Sequence, residues 1–446
     1  MKIIIAGAGE VGVHLAKLLS QNRNNDVALL DTDEERLNLL SGFEIMTIEG
    51  NPVSIADLRT AGVKSADMFV AVTPEETTNL TACLLANNLE AKTTIARVSN
   101  EEYIHPKNME FFKQLGVDSL ICPETLAAGE IVNAMKTPWS RQWFELADGK
   151  LIVVGAKIRE NAPLVNKYLR DLTSDERIYH IVAIKRGDET IIPGGNDQIL
   201  PNDIIFFTTT PRHINEIKTL SGKEKITIDR AMIMGGSRIA LRVTEMLSDG
   251  INIKLLEKNR EKCYQLAEKV GSNVMIVNGD ASNTDLLISE DIANFDAFIA
   301  LTENSETNIL ACVTAKSLGV RKTVAQVENI DYIRLAEKLD IGTVINKKLI
   351  AVSHIYQFLL NADVSTVKCM TFANAEVAEL VARKNSKITK KPIRELNLPR
   401  DMTLGGRIRN NGQAEIIRGE TMIEAGDHVV VFCLDTAMRR IEDYFN

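Results

Sequence analysis

The chain repeats itself, and the repeat constrains its fold more than any other feature. Residues 3–19 read IIIAGAGEVGVHLAKLL and residues 231–247 read AMIMGGSRIALRVTEML. Downstream, Leu29-Leu30-Asp31 matches Leu255-Leu256-Glu257, and Gly50-Asn51 matches Gly279-Asp280. Val70-Ala71-Val72-Thr73 matches Ile299-Ala300-Leu301-Thr302, Thr78–Cys83 matches Thr307–Cys312, and Ala96-Arg97-Val98 matches Ala325-Gln326-Val327. The matches run in order at a nearly constant offset, so the 446 residues are two tandem copies of about 225 each.

Each copy divides again. Its first part alternates short apolar runs with helical patterns. In copy one the runs are 2–6, 26–30, 44–48, 68–72 and 93–97, with amphipathic stretches such as 11–21 and 76–88 between them. Strands separated by helices predict βαβ units and a parallel sheet. The second part is β-rich, at 151–158, 181–185, 190–192 and 204–208, with turn signals at Gly187-Asp188 and Pro193-Gly194-Gly195. Copy two repeats this at 366–372, 406–409, 414–417 and 428–433. The expected order is large, small, large, small, at 1–138, 139–224, 225–360 and 361–446. Each small α+β domain has about 80 residues.

Composition excludes several classes. Apolar residues are 45% and charged residues 25%, which rules out a mainly disordered or collagen-like chain. The net charge of −8, from 52 basic and 60 acidic residues, argues against nucleic acid as the main partner. No apolar run approaches the roughly 18 residues that span a bilayer. Met1-Lys2 leads directly into a strand-like run, which predicts no signal peptide and a cytoplasmic protein. The six cysteines (83, 122, 263, 312, 369 and 433) form no CxxC or Cys/His cluster, so neither a metal site nor a disulfide framework is expected.

Gly7-Ala8-Gly9-Glu10-Val11-Gly12 is a G-x-G-x-x-G that follows an apolar strand and opens a helix. In that setting Gly7 allows the tight turn, Gly9 lets a pyrophosphate approach the backbone, and Gly12 lets the helix pack close. The helix N-terminus offers unpaired N–H groups to phosphate. Asp31 stands where a carboxylate for ribose hydroxyls is expected, and it repels a 2′-phosphate, favouring NAD(H) over NADP(H). The alternative is a Rossmann-like fold that keeps its glycines for packing. The fold class is therefore α/β, with two tandem Rossmann-like parallel-sheet domains, each followed by a small α+β domain.

The loop of copy two reads Gly235-Gly236-Ser237-Arg238-Ile239-Ala240. Ser237 puts a side chain on the pyrophosphate path. Arg238 replaces Glu10 and offers a guanidinium suited to phosphate oxygens. Glu257 keeps the carboxylate, one methylene longer. Either this copy binds a different nucleotide, or binds weakly, or it is a spent site kept for its fold. The loop of copy one has three glycines and no positive charge.

Other matched positions fall at strand ends on the same edge. Thr73-Pro74-Glu75-Glu76 reads as a capping box with Pro at N1 and Glu at N3. It also reads as a hydroxyl and backbone beside the adenosine, with Thr302 its counterpart, and both can hold together. Arg97 ends the fifth strand and reaches for phosphate or adenine, whereas its counterpart Gln326 is neutral. Asn51 and Asp280 either flank the adenine or belong to solvated loops. Cys83 and Cys312 read as core packing. No histidine sits in a recognisable catalytic context, and no P-loop is present. His14 reads as a helix-packed side chain. A catalytically bare duplication suits ligand sensing better than turnover. The rival reading is an NAD-dependent oxidoreductase with an unrecognised catalytic group.

The chain resembles the TrkA family, cytoplasmic regulatory subunits of bacterial Trk potassium uptake systems. The resemblance rests on IIIAGAGEVG (3–12), Asp31, Gly50-Asn51, AVTPEETTN (71–79) and ARVSNEEY (96–103), together with the doubled architecture. It implies "regulator of potassium conductance" (RCK) domains of N-type and C-type. It also implies binding of NAD(H) and adenine nucleotides, and a homotetrameric ring under a membrane potassium channel subunit. The NAD contacts it implies are Gly7 to Val11, Asp31, Thr73 and Arg97, and in copy two Gly235 to Ile239, Glu257, Thr302 and Gln326. Ser237 and Gln326 depart from the family pattern, and Arg238 is similar to an Arg that senses a terminal ATP phosphate in single-unit relatives. NAD(H) is expected at copy one, and ATP, ADP or NAD(H) at copy two.

Overall fold

The computed structural model describes residues 1–446 apart from 21–24, 173–177, 225, 248–249, 360–363, 371–374, 435–437 and 446. The domain joins expected at 224/225 and 360/361 lie at residues outside that set. The chain forms two compact units, one of Met1–Ala127 with Lys347–Leu359, the other of Ala128–Asn346 with Leu360–Asn446.

The first unit is built on six parallel strands: β1 (Lys2–Ala6), β2 (Asp26–Asp31), β3 (Met46–Glu49), β4 (Met68–Ala71), β5 (Thr94–Arg97) and β6 (Ser119–Ile121), in the order β3-β2-β1-β4-β5-β6. Ile3, Ile4 and Ile5 are all fully buried because helices cover both faces, so β1 is apolar throughout instead of alternating. One face carries helix Glu10–Ser20 through Val11, Leu15 and Leu19. Beside it packs helix Lys347–Leu359 through Ala351, Val352 and Ile355, although that helix closes the second copy's large domain in sequence. The other face carries helix Glu76–Asn88 through Ala82, Cys83 and Ala86. Strand order reverses between β1 and β4, which opens a crevice beyond their carboxyl ends, where ligands of doubly wound sheets bind.

In the second unit a small antiparallel sheet comes first: β7 (Gln142–Leu146), β8 (Leu151–Lys157), β9 (Tyr179–Arg186), β10 (Glu189–Ile191) and β11 (Ile204–Thr209). A second parallel sheet follows, with β12 (Arg230–Met234), β13 (Asn252–Glu257), β14 (Val274–Asn278), β15 (Ala297–Ala300), β16 (Lys322–Gln326) and β17 (Thr343–Ile345). Its order, β14-β13-β12-β15-β16-β17, repeats that of the first. The last sheet has β18 (Val364–Met370), β19 (Ala375–Val381), β20 (Met402–Ile408), β21 (Ala414–Ile416) and β22 (His428–Leu434). The small sheets run β10-β9-β11-β8-β7 and β18-β19-β22-β20-β21, which is one topology twice.

The two small sheets pack face to face through Val153, Val182 and Phe206 on one and Val377, Val430 and Phe432 on the other. The rings of Phe206 and Phe432 lie 6.0 Å apart. Gly405 sits in this contact, and a Cβ there would stand 2.3 Å from Thr208 Oγ1, so only glycine fits. No helix among the described residues is long and apolar enough to cross a membrane.

Candidate functional site

The glycine loop of copy one has the geometry its spacing predicts. Gly7 has φ +111°, and a Cβ on it would lie 2.9 Å from the backbone nitrogen of Thr73. A Cβ on Gly12 would lie 1.9 Å from the Gly7 carbonyl oxygen, so the helix meets the strand at backbone distance. Gly9 is the opposite case, because a Cβ there meets nothing within 4 Å. Open space therefore lies over the middle glycine. The first bond of helix Glu10–Ser20 runs from the Val13 N–H to the Gly9 carbonyl at 2.9 Å. The N–H groups of Glu10, Val11 and Gly12 precede it and are not spent within the helix. Ala8 and Val11 turn their side chains into the core, so both present only backbone to the crevice.

Asp31 ends β2 half-buried, and its carboxylate braces the loop. The Ala8 N–H donates to Oδ2 at 2.5 Å and the Asp33 N–H to Oδ1 at 2.9 Å. A carboxylate accepts about four hydrogen bonds, so two positions remain. Asp31 therefore has a structural duty in the loop besides any role towards a ligand.

Thr73 and Arg97 are set by a residue that sequence reasoning did not single out. Asn79, 1% exposed on helix Glu76–Asn88, spends its whole amide at the crevice. Its Oδ1 accepts the N–H of Thr73 at 2.9 Å and the hydroxyl at 2.7 Å. Its Nδ2 donates to the carbonyls of Thr73 at 3.0 Å and Arg97 at 2.9 Å. Asn308 makes the same four bonds to Thr302 and Gln326 at 2.6 to 3.1 Å. The signal was present in the repeated Thr-Asn of 78–79 and 307–308, a buried-amide position inside an apolar helix.

The capping box expected at Thr73 does not form. The helix N-cap is Glu75, without a side-chain cap bond, and Thr73 is held by Asn79 instead. The Glu76 carboxylate accepts the N–H groups of Ser99 and Asn100 at 2.8 and 2.9 Å, which ties the helix to the loop after β5. Pro74 is exposed.

Glu10 projects into solvent, 73% exposed, and pairs with Lys348 of helix Lys347–Leu359. The first loop carries no cation of its own, and the second copy places one beside it. Asn51 Oδ1 accepts the Val53 N–H at 3.0 Å, and Asp280 Oδ1 accepts from the Ser282 N–H at 2.9 Å and hydroxyl at 2.7 Å. Both are exposed turn residues whose carbonyl or carboxylate oxygens serve their own loops.

Copy two keeps the frame and alters the mouth. Gly235 has φ +93°, and Glu257, 6% exposed, accepts the N–H of Gly236 and of Asn259 at 2.9 Å each. Burial alone raises the Glu257 pKa. The two N–H donors and the Lys262 ammonium at 3.2 Å outweigh it and hold the carboxyl below its usual range. Ser237 caps helix Arg238–Met246, its hydroxyl accepting the Ala240 N–H at 3.2 Å, so it takes one of the donors a phosphate would use. Arg238 is exposed, without an ion-pair partner among the described residues, and Ile239 is core. Gln326 is buried and donates to Glu328 Oε1 at 2.9 Å, whereas Arg97 is half-exposed. The two mouths thus differ in charge as well as in glycines.

His14 is half-buried in its helix, and burial with Lys17 nearby lowers its pKa. Cys83 and Cys312 donate to the carbonyls of Ile95 and Val324 at 3.3 and 3.4 Å inside the core, where burial pushes both thiols far up. Cys369 lies outside the residues whose side chains are described.

The model of the TrkA-N domain family matches residues 3–123 and 231–347, and that of the TrkA-C domain family matches 153–222 and 377–446. The chain belongs to the TrkA family. It is similar to the Trk system potassium uptake protein TrkA of Haemophilus influenzae, 32% identical over 445 residues, covering 98% of this chain and 96% of that protein. It is also similar to the TrkA homolog of Archaeoglobus fulgidus, 32% identical over 449 residues and covering 100% of both. Among solved structures, the GsuK channel bound to NAD superposes with a TM-score of 0.62 at 14% identity, covering 100% of this chain and 78% of that one. The crystal structure of the GsuK RCK domain superposes with a TM-score of 0.61 at 15% identity, covering 100% and 94%. These structures share the doubled family fold. The match spans all four sequence-defined segments, so the small sheets belong to the family pattern as much as the glycine loops do.

Proposed function

We propose that the chain is the nucleotide-binding regulatory subunit of a Trk-type potassium uptake system, and that it acts without catalysis of its own. The observation that carries the proposal is the crevice of copy one. Open space over Gly9, spare N–H groups at Glu10 to Gly12 and the Asp31 carboxylate lie at the switch point of a parallel sheet. In this reading Gly7 to Gly12 take the pyrophosphate of NAD(H), with Lys348 adding a cation at the loop. Asp31 takes the ribose hydroxyls. Thr73, Pro74 and Arg97 border the adenosine, with Asn51 at the rim.

In copy two, Gly235 to Ile239, Glu257, Asp280, Thr302 and Gln326 hold the equivalent places. Ser237 crowds the dinucleotide path and Arg238 offers charge, which favours ATP or ADP over NAD(H) there. Support for the potassium role comes from the family and its named relatives. The physiological form is a homotetrameric ring on the cytoplasmic side of the membrane, held there by a channel subunit. A nucleotide that binds one ring geometry more tightly shifts the population towards it, and the channel follows.

The test is calorimetric titration of the purified protein with NADH, NAD, ATP and ADP, paired with potassium uptake in cells carrying the channel subunit with and without this chain. Saturable binding and chain-dependent uptake are expected. Absence of both refutes the proposal.

A further inference from the structure

The second unit contains a cavity of about 180 Å³ between the first small sheet and the turn before β17, bordered by Arg141, Lys157, Lys185, Glu337, Lys338 and Asp340. Arg141 donates to the Gly342 carbonyl and to Asp340. Lys157 reaches Asp340 Oδ1 at 3.1 Å, and Lys316 reaches Oδ2 at 3.2 Å. Lys185 reaches both oxygens of Glu337 at 2.9 Å. Behind this wall Lys322, 4% exposed, donates among the described residues only to neutral oxygens, the Ser140 carbonyl at 3.1 Å and the Thr343 hydroxyl at 3.0 Å. Lys223 lies in the field of Arg141, Arg159, Lys157 and Asp340.

Among the described residues the charges do not balance. Arg141, Lys157 and Lys316 converge on the one carboxylate of Asp340, and Lys223 lies in the same field. Lys322 has only cations acting on it, while Lys185 pairs with Glu337 and Lys338 is matched at the rim by Asp188 at 3.6 Å. Burial and the neighbouring cations push Lys322 down to about 7 and Lys223 to about 8. Burial works against Asp340, yet Arg141, Lys316 and Lys157 hold it at about 2. A buried cationic surplus beside an open volume is stabilised by an added anion, and the guanidinium fork with two ammonium groups matches tetrahedral oxygens.

We propose that this cavity binds a phosphate-sized oxyanion, free or carried by a small phosphorylated metabolite, with Arg141, Lys157 and Lys185 as its ligands. The site is separate from the glycine loops and stands without the nucleotide reading. An anion there restores the protonated state of Lys322 and Lys223, so binding takes up protons between about pH 7 and 8.

The test titrates the full chain by calorimetry with inorganic phosphate and with glycerol phosphate, against chloride at matched ionic strength, in two buffers of different ionisation enthalpy. The expected result is saturable binding with proton uptake, weakened about tenfold or more by Lys157→Gln and by Lys185→Gln. Lys64→Gln, at an exposed lysine, leaves it unchanged. Tighter binding of the ester identifies a metabolite, and equal binding identifies phosphate itself; either result supports the site. Thermal melts establish that each variant is folded. No saturable binding, or binding that survives both cavity variants, overturns the inference. So does binding lost in Gly9→Val but kept in the cavity variants, since it places the anion at the glycine loop.

Discussion

Glu257 accepts the backbone N–H of Gly236 at 2.9 Å, the same brace that Asp31 gives Ala8 in copy one. In both copies the acid at the end of the second strand therefore has two duties. It shapes the glycine loop, and in the proposed reading it also takes the ribose hydroxyls. Conservation of the brace alongside divergence at Ser237 and Arg238 separates the frame of the site from its selectivity.

Asp31→Ala removes both duties. NADH affinity is expected to fall by about 1.5–3 kcal/mol, the worth of a hydrogen bond to a charged group. Stability is expected to fall as well, by about 1 kcal/mol, because the N–H groups of Ala8 and Asp33 lose their acceptor. Calorimetry and denaturant melts measure the two separately. Unchanged NADH affinity in a folded variant removes Asp31 from the site.

Asn79→Ala leaves the backbone of Thr73 and the carbonyl of Arg97 without their buried partner. A loss of about 2–4 kcal/mol in stability is expected, together with weaker nucleotide binding. Asn79→Asp keeps the acceptor but turns a carboxylate oxygen towards the carbonyls of Thr73 and Arg97, so it should cost at least as much as Asn79→Ala. A denaturant series on the two variants checks the order. Equal stability of Asn79→Ala and the parent contradicts the role.

Lys322 makes stability depend on pH. Its folded pKa of about 7 lies below the ordinary 10.5, so between these values the unfolded chain holds more protons than the folded one. Stability contributed by this group rises with pH through that window, by at most about 1.4 kcal/mol per pH unit. Lys322→Met should flatten the rise. Urea midpoints from pH 7 to 9 test it, and a slope unaffected by the substitution refutes it.

Arg238→Ala should weaken ATP binding and spare NADH binding at copy one. The full chain is the right subject for this measurement. Residues 226–446 alone would expose the face of the last sheet that Phe206, Val153 and Val182 cover. Equal ATP affinity in parent and variant shows that the guanidinium does not read phosphate.

The duplication and the glycine loops were legible because both large sheets are buried on two faces, which makes β1 and β12 uninterrupted apolar runs. The three-residue strands β6 and β17 were too short to leave a pattern. β19 reads AEVAELV, a sequence of good helix formers. It is a strand because β18 and β22 flank it and Glu379 finds His428 at 2.8 Å and the Ala147 N–H at 2.9 Å. The packing of helix Lys347–Leu359 on the first unit, and with it the Glu10–Lys348 pair, depends on contacts over three hundred residues apart, which periodicity does not encode.

Whether the glycine loop of copy one holds a dinucleotide is decided by Gly9→Val. A Cβ at this position meets no protein atom within 4 Å, so the substitution is aimed at a ligand's path and not at the packing of the loop. Calorimetric titration of NADH into the parent and into Gly9→Val, with matched thermal melts, is the measurement. Saturable NADH binding by the parent, lost in a variant that melts normally, is expected. Undiminished NADH binding by folded Gly9→Val would contradict it.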